Sequence, residues 1–329
     1  QDGRREPGPS ALLLVHYFGV PADAARARRW CDERGVALIE DCAHSFLSTV
    51  EGRLLGSSGD YAIFSFRKQL PVASGAALVA NGGRRFERPG TGTHAPLTPA
   101  PSILRQAQDG AGSFVPIRSG SGRRRRERAP GIGLFPALRE VAAWAVFASG
   151  SGRLRRWLAP SLSDERGLRA AAPGRAPGMD WVTRRVIARL SKKIDAIAER
   201  RRSNYLLLQR ELGGADGLMP VFASLPEGAV PWGFPLRVTG GRPSRASRPR
   251  ERRDELLSVL LAEGTGAWVW PELPAEVTES DFPEEWRLAS ETVVLPVHQG
   301  LSARHMQHVA DTVSAWAVSR AVEPTRPRA

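Results

Sequence analysis

The sequence predicts an α/β protein that begins with an incomplete, doubly wound and mostly parallel sheet. The first observation is a strand–helix–strand unit, in which the apolar runs 11–15 and 36–40 flank an amphipathic stretch at 22–35. Such a unit implies that its two strands pair in parallel. Two further strand candidates follow at 61–66 and 75–80. Four strands and one helix are too few for a complete sheet of this class.

The second observation is a C-terminal set of elements that predicts a smaller α+β domain. A long amphipathic helix is predicted over 180–212, with Asp180 as its N-cap. Three strand candidates come next, "GFPLRV", "GAWVW" and "TVVLPV", and a final amphipathic helix begins near Ser302. We therefore expect four regions along the chain: a partial large domain at 1–88, an irregular Arg-, Gly- and Pro-rich segment at 89–178, the long helix and small domain at 179–318, and a disordered tail at 319–329.

The net charge of +13 comes mainly from two segments. Residues 88–128 hold eight Arg and two acidic residues, a net charge of +6, and residues 242–253 hold six Arg and one Glu, a net charge of +5. Both segments are rich in Gly, Pro and Ser and lack apolar periodicity, so we expect them to be disordered. Arg clusters bind phosphate groups well, which leaves a nucleic-acid binder as an alternative. The absence of interleaved aromatic residues in 120–131 disfavours nucleic acid as a partner.

Other features of the sequence are typical of a cytoplasmic protein. No apolar run approaches the roughly 20 residues of a membrane helix, and the polar start "QDGRREPGPS" is not a signal peptide. Cys31 and Cys42 lack the spacing of a disulfide framework or of metal ligands. We therefore expect free thiols in a reducing compartment, and no metal site. The first residue is Gln, which indicates a processed protein or a fragment.

Two adjacent carboxylates, Glu40 and Asp41, end the second predicted strand in "ALIEDCAHSF". One interpretation is structural, because strand ends meet water and Asp forms turns readily. The other is functional, because ligands of open α/β sheets bind at the carboxyl ends of the strands. The residues alone leave both interpretations open.

Four motifs resemble a known family by their order along the chain: "VHYFGVPAD", "ALIEDCAHSF", "GSSGDYAIFSFRKQLP" and "SGAALVANG". They resemble the DegT/StrS-type sugar aminotransferases, and "IDAIAERRRSNYLLLQREL" and "VVLPVHQGLS" are similar to that family's connecting helix and small domain. The resemblance covers 11–83 and 179–318. It implies the type I fold of pyridoxal-phosphate enzymes, pyridoxal 5'-phosphate as cofactor, and a homodimer. It also implies transfer of an amino group from an amino acid to a nucleotide-linked keto sugar, for polysaccharide or glycosylated-metabolite biosynthesis.

The resemblance assigns roles to four residues. Lys68 matches the family's Schiff-base lysine, which also moves the proton during the reaction. Asp41 matches the carboxylate that keeps the ring nitrogen of the cofactor protonated. His44 matches a residue near the cofactor ring and its hydroxyl group, and Ser65 matches a serine that binds the cofactor phosphate.

Several departures from the family leave a second hypothesis open, that of a truncated and non-catalytic remnant. Relatives normally have on the order of a hundred more residues before the "VH" motif, a large share of one domain. Those residues supply a helix N-terminus that binds phosphate and an aromatic ring that stacks on the cofactor. The usual Gly-Gly after the lysine is Gly75-Ala76 here, and the Asn expected from a partner subunit has no clear match.

Overall fold

The structure, a computed structural model, describes most of the two predicted folded regions. The described residues are 8–72, 75–81, 179, 181–239, 249–270 and 273–321. They divide into two compact units, the first made of 8–72, 75–81, 179, 181–196 and 226–230, and the second of 197–225, 231–239, 249–270 and 273–321. The predicted irregular segment 89–178, the Arg cluster within it and the proposed N-cap Asp180 lie outside the described residues.

The first unit contains a four-stranded sheet in the order β1-β2-β5-β6. Its elements are β1 (Ala11–Val15), α1 (Ala24–Arg34), β2 (Ala37–Asp41), β3 (Thr49–Val50), β4 (Arg53–Leu54), β5 (Tyr61–Ser65), β6 (Ala76–Ala80) and α2 (Trp181–Leu190). Strand β2 pairs in parallel with both β1 and β5, whereas β6 pairs with β5 in the antiparallel sense. The connection from β5 to β6 is too short for the crossover that a parallel pair needs. The prediction of an α/β unit with a mostly parallel sheet is confirmed.

Helix α1 covers one face of this sheet. The carboxylate of Asp23 caps its start by accepting a hydrogen bond from the Arg26 N–H at 2.8 Å. Gly35 ends it in the left-handed conformation, with a φ of 70°. The buried residues Ala27 and Cys31 of the helix pack with a hydrophobic cluster that includes Leu38 of β2. This face is therefore the core of the first unit.

A tight hairpin, formed by β3 and β4, lies within the turn-rich stretch after β2. Its two central residues, Glu51 and Gly52, both have positive φ, 51° and 74°. Two central residues of this kind match the twist of antiparallel strands. The sequence analysis did not predict these two paired strands.

The second unit is an antiparallel sheet with helices, as expected for an α+β domain. Its elements are α3 (Ile194–Leu212, which begins in the first unit), β7 (Leu218–Pro220), β8 (Gly233–Val238), α4 (Pro249–Ala262), β9 (Trp268–Val269), α5 (Pro283–Glu291), β10 (Thr292–Pro296) and α6 (Ala303–Ala321). The strand order is β7-β8-β10-β9, and all three pairings are antiparallel. Every residue of β8 and β10 is buried. The predicted amphipathic helix near Ser302 is confirmed as α6, in which Met306, Val309, Val313 and Trp316 at helical spacing are all buried.

The structure corrects the predicted helix over 180–212. A 3₁₀ turn at Ser191–Lys193 separates α2 from α3. The hydroxyl of Ser191 donates to the Ala188 carbonyl at 2.9 Å, a bond that commonly bends helices. The apolar periodicity continues through this turn, so it did not reveal the break.

The expectation of disorder over 242–253 is wrong for residues 249–253, which begin helix α4. Pro249 is well suited to a helix start, because the missing N–H would have no partner there. Arg253 is buried, and its guanidinium donates to the Ala289 carbonyl at 2.6 Å. At the other end of the unit, α6 continues to Ala321, three residues into the predicted tail. No helix among the described residues is long and apolar enough to cross a membrane.

Candidate active site

The carboxyl edge of the first sheet brings together the residues that the sequence analysis singled out. Asp41 is the last residue of β2, and Ser65 is the last residue of the neighbouring strand β5. Asp41 pairs with Ile63, so Asp41 and Ser65 project from the same face of the sheet. Lys68 ends the 3₁₀ turn Phe66–Lys68 that follows β5. Parallel pairing of β2 and β5 is what places these segments at one edge.

The carboxylate of Asp41 has a fixed orientation. Its Oδ1 accepts a hydrogen bond from the Ala43 N–H at 2.9 Å, which closes an Asx turn directly after the strand. The Asp41 carbonyl accepts from the His16 N–H at 3.1 Å, so the end of β2 is also tied to the end of β1. The side chain is half-buried. A carboxylate held in this way can bind a cationic N–H group at the strand end.

His44 lies in the loop after β2 and is electrostatically coupled to Lys68. Burial, together with the positive charge of Lys68, lowers the pKa of His44 to about 3. The imidazole is therefore neutral at physiological pH, and one of its ring nitrogens can accept a hydrogen bond. The positive charge of Lys68 thus acts on the His44 ring at this edge of the sheet.

Two aromatic residues from the loop after β1 lie beside His44. The ring centroids of Phe18 and Tyr17 are 6.2 Å and 6.5 Å from that of His44. Phe18 has a φ of 57°, a left-handed conformation that is uncommon for a bulky residue. Such conformations persist where the surrounding structure enforces them, and they cluster at functional sites. The loop therefore adds an apolar wall to the edge that holds Asp41 and Lys68.

The backbone next to Lys68 is anchored by its buried neighbour Gln69. The Gln69 Oε1 accepts from the Leu47 N–H at 3.1 Å, and its Nε2 donates to the Val230 carbonyl at 2.8 Å. The hydroxyl of Ser48 accepts from the Val230 N–H at 3.0 Å and donates to the Gly19 carbonyl at 2.8 Å. These bonds join the loops after β1, β2 and β5 to residue 230, and they limit the positions that Lys68 can take.

Glu40 and His16 form a buried pair that the sequence analysis did not identify as a unit. Their side chains are almost completely buried, and His16 Nε2 lies 3.0 Å from Glu40 Oε2. The His16 Nδ1 accepts a hydrogen bond from the Ala22 N–H at 3.0 Å. Because Nδ1 is an acceptor, the proton of the neutral ring is on Nε2, which donates to the carboxylate. The partners are 24 residues apart, and no local sequence pattern reveals such a pair.

The same carboxylate of Glu40 organises the turn before β5. Its Oε2 also accepts from the Gly56 N–H at 3.2 Å, and its Oε1 accepts from the Ser58 and Gly59 N–H groups at 2.8 Å and 2.5 Å. Burial by itself raises the pKa of Glu40, but the bonds from His16, Gly59 and Ser58 outweigh it and lower the pKa below its ordinary value. Glu40 therefore stays ionised inside the protein. Its role is structural, whereas Asp41 projects from the opposite face toward the site.

His16, Glu40 and Cys42 also place three potential metal-ligand atoms within 4.8 Å of one another. Both oxygens of the Glu40 carboxylate already accept hydrogen bonds, and His16 uses both ring nitrogens. Burial raises the pKa of the Cys42 thiol well above its usual range, which keeps the sulfur protonated. Zinc and similar ions bind thiolates and free nitrogen lone pairs. The hydrogen bonds of Glu40 and His16 and the protonated thiol of Cys42 therefore explain why these three residues lie together, without a metal ion.

Comparison with known proteins identifies relatives for the N-terminal quarter of the chain. Residues 4–88 match the DegT/DnrJ/EryC1/StrS aminotransferase family. A GDP-perosamine synthase of Vibrio cholerae is 38% identical over 73 residues, which are 22% of this chain and 20% of that protein. A UDP-N-acetyl-3-dehydro-alpha-D-glucosamine 3-aminotransferase of Acidithiobacillus ferrooxidans is 33% identical over 84 residues, 25% of this chain and 23% of that protein. The matched part thus spans about a fifth of the length of these curated relatives.

Solved structures of similar fold cover nearly all of the chain. The aminotransferase TlmJ of Streptoalloteichus hindustanus has a TM-score of 0.58 at 21% identity, over 96% of this chain and 68% of that one. DesV of S. venezuelae, solved with a ketimine intermediate, has a TM-score of 0.56 at 20% identity, over 98% of this chain and 67% of that one. At these identities the likeness establishes the fold, which is the type I fold of pyridoxal-phosphate-dependent transferases. On this fold, residues 4–88 are the part of the chain that is similar to the DegT/DnrJ/EryC1/StrS aminotransferase family.

Proposed function

We propose that the protein is a pyridoxal-phosphate-dependent aminotransferase of the nucleotide-sugar type. It transfers an amino group from an amino acid to a keto sugar linked to a nucleotide, for polysaccharide or glycosylated-metabolite biosynthesis. The observation that carries the proposal is the carboxyl edge of the first sheet, where Asp41 ends β2, Ser65 ends the parallel strand β5, and Lys68 follows in the next turn. The names of the relatives support the substrate class, since one is a GDP-perosamine synthase and another acts on a UDP-linked dehydro sugar.

The donor set fits the cofactor in its chemistry. A primary amine is needed for covalent attachment, and Lys68 is the only lysine in the first 191 residues. A carboxylate is needed opposite the ring nitrogen, and Asp41 is oriented at the strand end by its Asx turn. Ser65, half-buried on the same face as Asp41, supplies a hydroxyl for a phosphate oxygen. When bound, the cofactor supplies an electron sink for a carbanion next to nitrogen.

The residues of the chain then have distinct tasks. Lys68 Nζ would hold the cofactor and would serve as the amine that gives and takes a proton at the reacting carbon. The carboxylate of Asp41 would hold a proton on the ring nitrogen of the cofactor. His44 stays neutral, so it does not repel the ammonium of Lys68 and offers a lone pair or an N–H to a polar group of the cofactor. Tyr17 and Phe18 line the same edge and help to exclude water from it.

We also propose that the protein is a homodimer of the cytoplasm, in line with the family resemblance. The free thiols of Cys31 and Cys42 support a reducing compartment, because both are buried and neither forms a disulfide. The division into a partial cofactor-binding large domain at 1–88 and the long helix with the small domain at 179–318 is part of the same proposal.

The test is covalent labelling of the full chain by the cofactor. The protein is mixed with pyridoxal phosphate, reduced with borohydride, digested and analysed by mass spectrometry. We expect a visible absorbance band before reduction and a phosphopyridoxyl group on Lys68 afterwards. The variant Lys68→Ala is expected to lose both signals.

The control for this test is Lys193→Ala, which removes one of the other two lysines in the sequence and is expected to leave both signals intact. Equal labelling of all lysines, or only the spectrum of free cofactor in the parent protein, would contradict the proposal and favour the non-catalytic remnant. If Lys68 is labelled, transamination is then assayed with nucleotide-linked keto sugars and amino-acid donors.

A further inference from the structure

Helix α2 and the 3₁₀ turn after it carry a row of basic side chains that the candidate site does not use. Residues 184–193 contain five basic residues and no acidic residue, a net charge of +5. All five side chains are exposed, and none of them forms an ion pair with another residue that the structure describes. The basic row, as it is called below, consists of Arg184, Arg185, Arg189, Lys192 and Lys193.

The opposite side of the same helix is packed within the first unit. Thr183, Ile187 and Ser191 are spaced four residues apart and are all buried. With 3.6 residues per turn, Arg185 and Arg189 lie nearly opposite to this buried side. The basic row is therefore directed toward solvent, where its positive charge can attract an anionic ligand.

The first turn of α2 lies beside the segment that leads to Lys68. A Cβ on Gly75 would be 3.3 Å from the Thr183 Cγ2 and 3.2 Å from the Phe66 Cδ2. The Gly75 carbonyl also accepts a hydrogen bond from the Phe66 N–H at 3.0 Å. Phe66 begins the 3₁₀ turn that ends at Lys68. The basic row therefore begins at the same carboxyl edge of the sheet as the candidate site.

The two ends of the basic row differ in their distance from this edge. Lys192 and Lys193 follow Arg184 and Arg185 by eight residues, which is about 12 Å along a helix. At physiological ionic strength, exposed charges separated by more than about 8 Å are largely screened from each other. Arg184 and Arg185 are therefore the members of the row that act most strongly on a ligand at the edge.

The chemistry of arginine favours phosphate as the anionic group. A guanidinium stays charged at physiological pH, and its planar set of N–H groups donates paired hydrogen bonds to phosphate oxygens. Two neighbouring guanidinium groups can bind two phosphate groups at once. A sugar that is linked to a nucleotide through a diphosphate carries two such groups side by side.

We propose that Arg184 and Arg185 bind the phosphate groups of a nucleotide-linked sugar at the edge of the candidate site. The identity of this ligand rests on the proposed function, and the inference adds the residues that hold its anionic part. The other members of the basic row raise the rate of encounter with the ligand at low ionic strength.

The test measures the binding of UDP and of GDP to the full chain by isothermal titration calorimetry at about 0.15 M salt. The double variant Arg184→Gln with Arg185→Gln is expected to bind both nucleotides roughly tenfold more weakly, because charge-assisted hydrogen bonds to phosphate are lost. The matched control is Lys192→Gln with Lys193→Gln, which removes the same charge from the same row. Because its charges are screened from the edge, the control is expected to change both dissociation constants by less than about twofold.

Several outcomes would overturn the inference. One is that the parent and the Arg184→Gln, Arg185→Gln variant bind UDP and GDP equally, or that the parent binds neither nucleotide. Another is an equal loss in both double variants, which would show a response to net charge alone. Gln is nearly as good a helix former as Arg and Lys, and equal unfolding midpoints by circular dichroism verify that the variants remain folded.

Cofactor labelling of Lys68, measured on the same proteins, separates this inference from the proposed function. If Lys68 is labelled but nucleotide binding does not depend on Arg184 and Arg185, the inference is wrong and the proposed function stands. If nucleotide binding requires both arginines but Lys68 is never labelled, the phosphate site stands and the proposed chemistry is wrong. If the Arg184→Gln, Arg185→Gln variant loses Lys68 labelling and keeps its affinity for UDP and GDP, the two arginines act on the cofactor and the inference is wrong.

Discussion

The variant Glu40→Gln tests whether the buried carboxylate at the end of β2 supports the fold beneath the candidate site. In the native protein, each carboxylate oxygen accepts two hydrogen bonds, from His16 and Gly56 on one side and from Ser58 and Gly59 on the other. An amide must turn its NH₂ group toward one of these pairs of donors. Two donors then lose their acceptor, and each one that is buried costs about 1–3 kcal/mol.

His16 cannot relieve this conflict by changing its tautomer. In the native protein, Nδ1 accepts a hydrogen bond from the Ala22 N–H, and a proton on Nδ1 would face that donor and break the bond. We therefore expect the Glu40→Gln variant to be less stable by about 2–6 kcal/mol, a large part of the 5–15 kcal/mol typical of folded proteins. Urea unfolding followed by circular dichroism measures the difference. The matched control is Glu33→Gln on α1, where the carboxylate is 69% exposed and the expected change is within about 0.5 kcal/mol.

The pH dependence of stability is a second test of the hydrogen bonds that Glu40 accepts. The folded pKa of Glu40 is lowered, so its carboxylate contributes stability above the unfolded pKa, and this contribution is lost as the pH falls through the folded pKa. The difference between the parent and Glu40→Gln is thus expected to shrink under acidic conditions. The reasoning would be refuted if Glu40→Gln lost no more unfolding free energy than Glu33→Gln at neutral pH. It would also be refuted if the stability difference between the parent and Glu40→Gln did not change with pH.

Two further predictions concern the same unit. Gly228→Ala is expected to destabilise the protein by about 1–3 kcal/mol, because Gly228 has a φ of 75° and the new Cβ would lie 2.6 Å from the Thr49 carbonyl oxygen. Gly214→Ala, which meets no atom within 4 Å, is the control, and equal unfolding midpoints for the two variants would contradict the prediction. Lys68→Ala is expected to raise the pKa of His44 from about 3, since a nearby positive charge is removed, but to leave it below the ordinary value because burial remains. NMR titration of the imidazole resonances measures this shift, and an unchanged pKa would show that the two residues do not share a site.

The sequence was sufficient to predict the main elements of both units. Alternating strand and helix patterns around Gly35 predicted the parallel sheet, because the period of apolar residues is a local property of the chain. The buried face of α6 followed from its spacing in the same way. The break at Ser191 and the helix start at Pro249 were missed, since apolar spacing continues through the first and Arg-rich composition obscured the second.

For the candidate site, the sequence supplied the residues and the tertiary structure supplied their relations. Asp41, His44, Ser65 and Lys68 came from motifs, and their roles remain part of the proposal. Which of the two adjacent carboxylates faces the site depended on strand alternation and register, and the pairing of β2 with β5 is a long-range event. The sequence did not predict the His16–Glu40 pair either, because the pair joins residues from the ends of two different strands. Local periodicity determines which segments become strands and helices, whereas contacts between distant segments decide which polar groups are buried, ionised and brought to one edge.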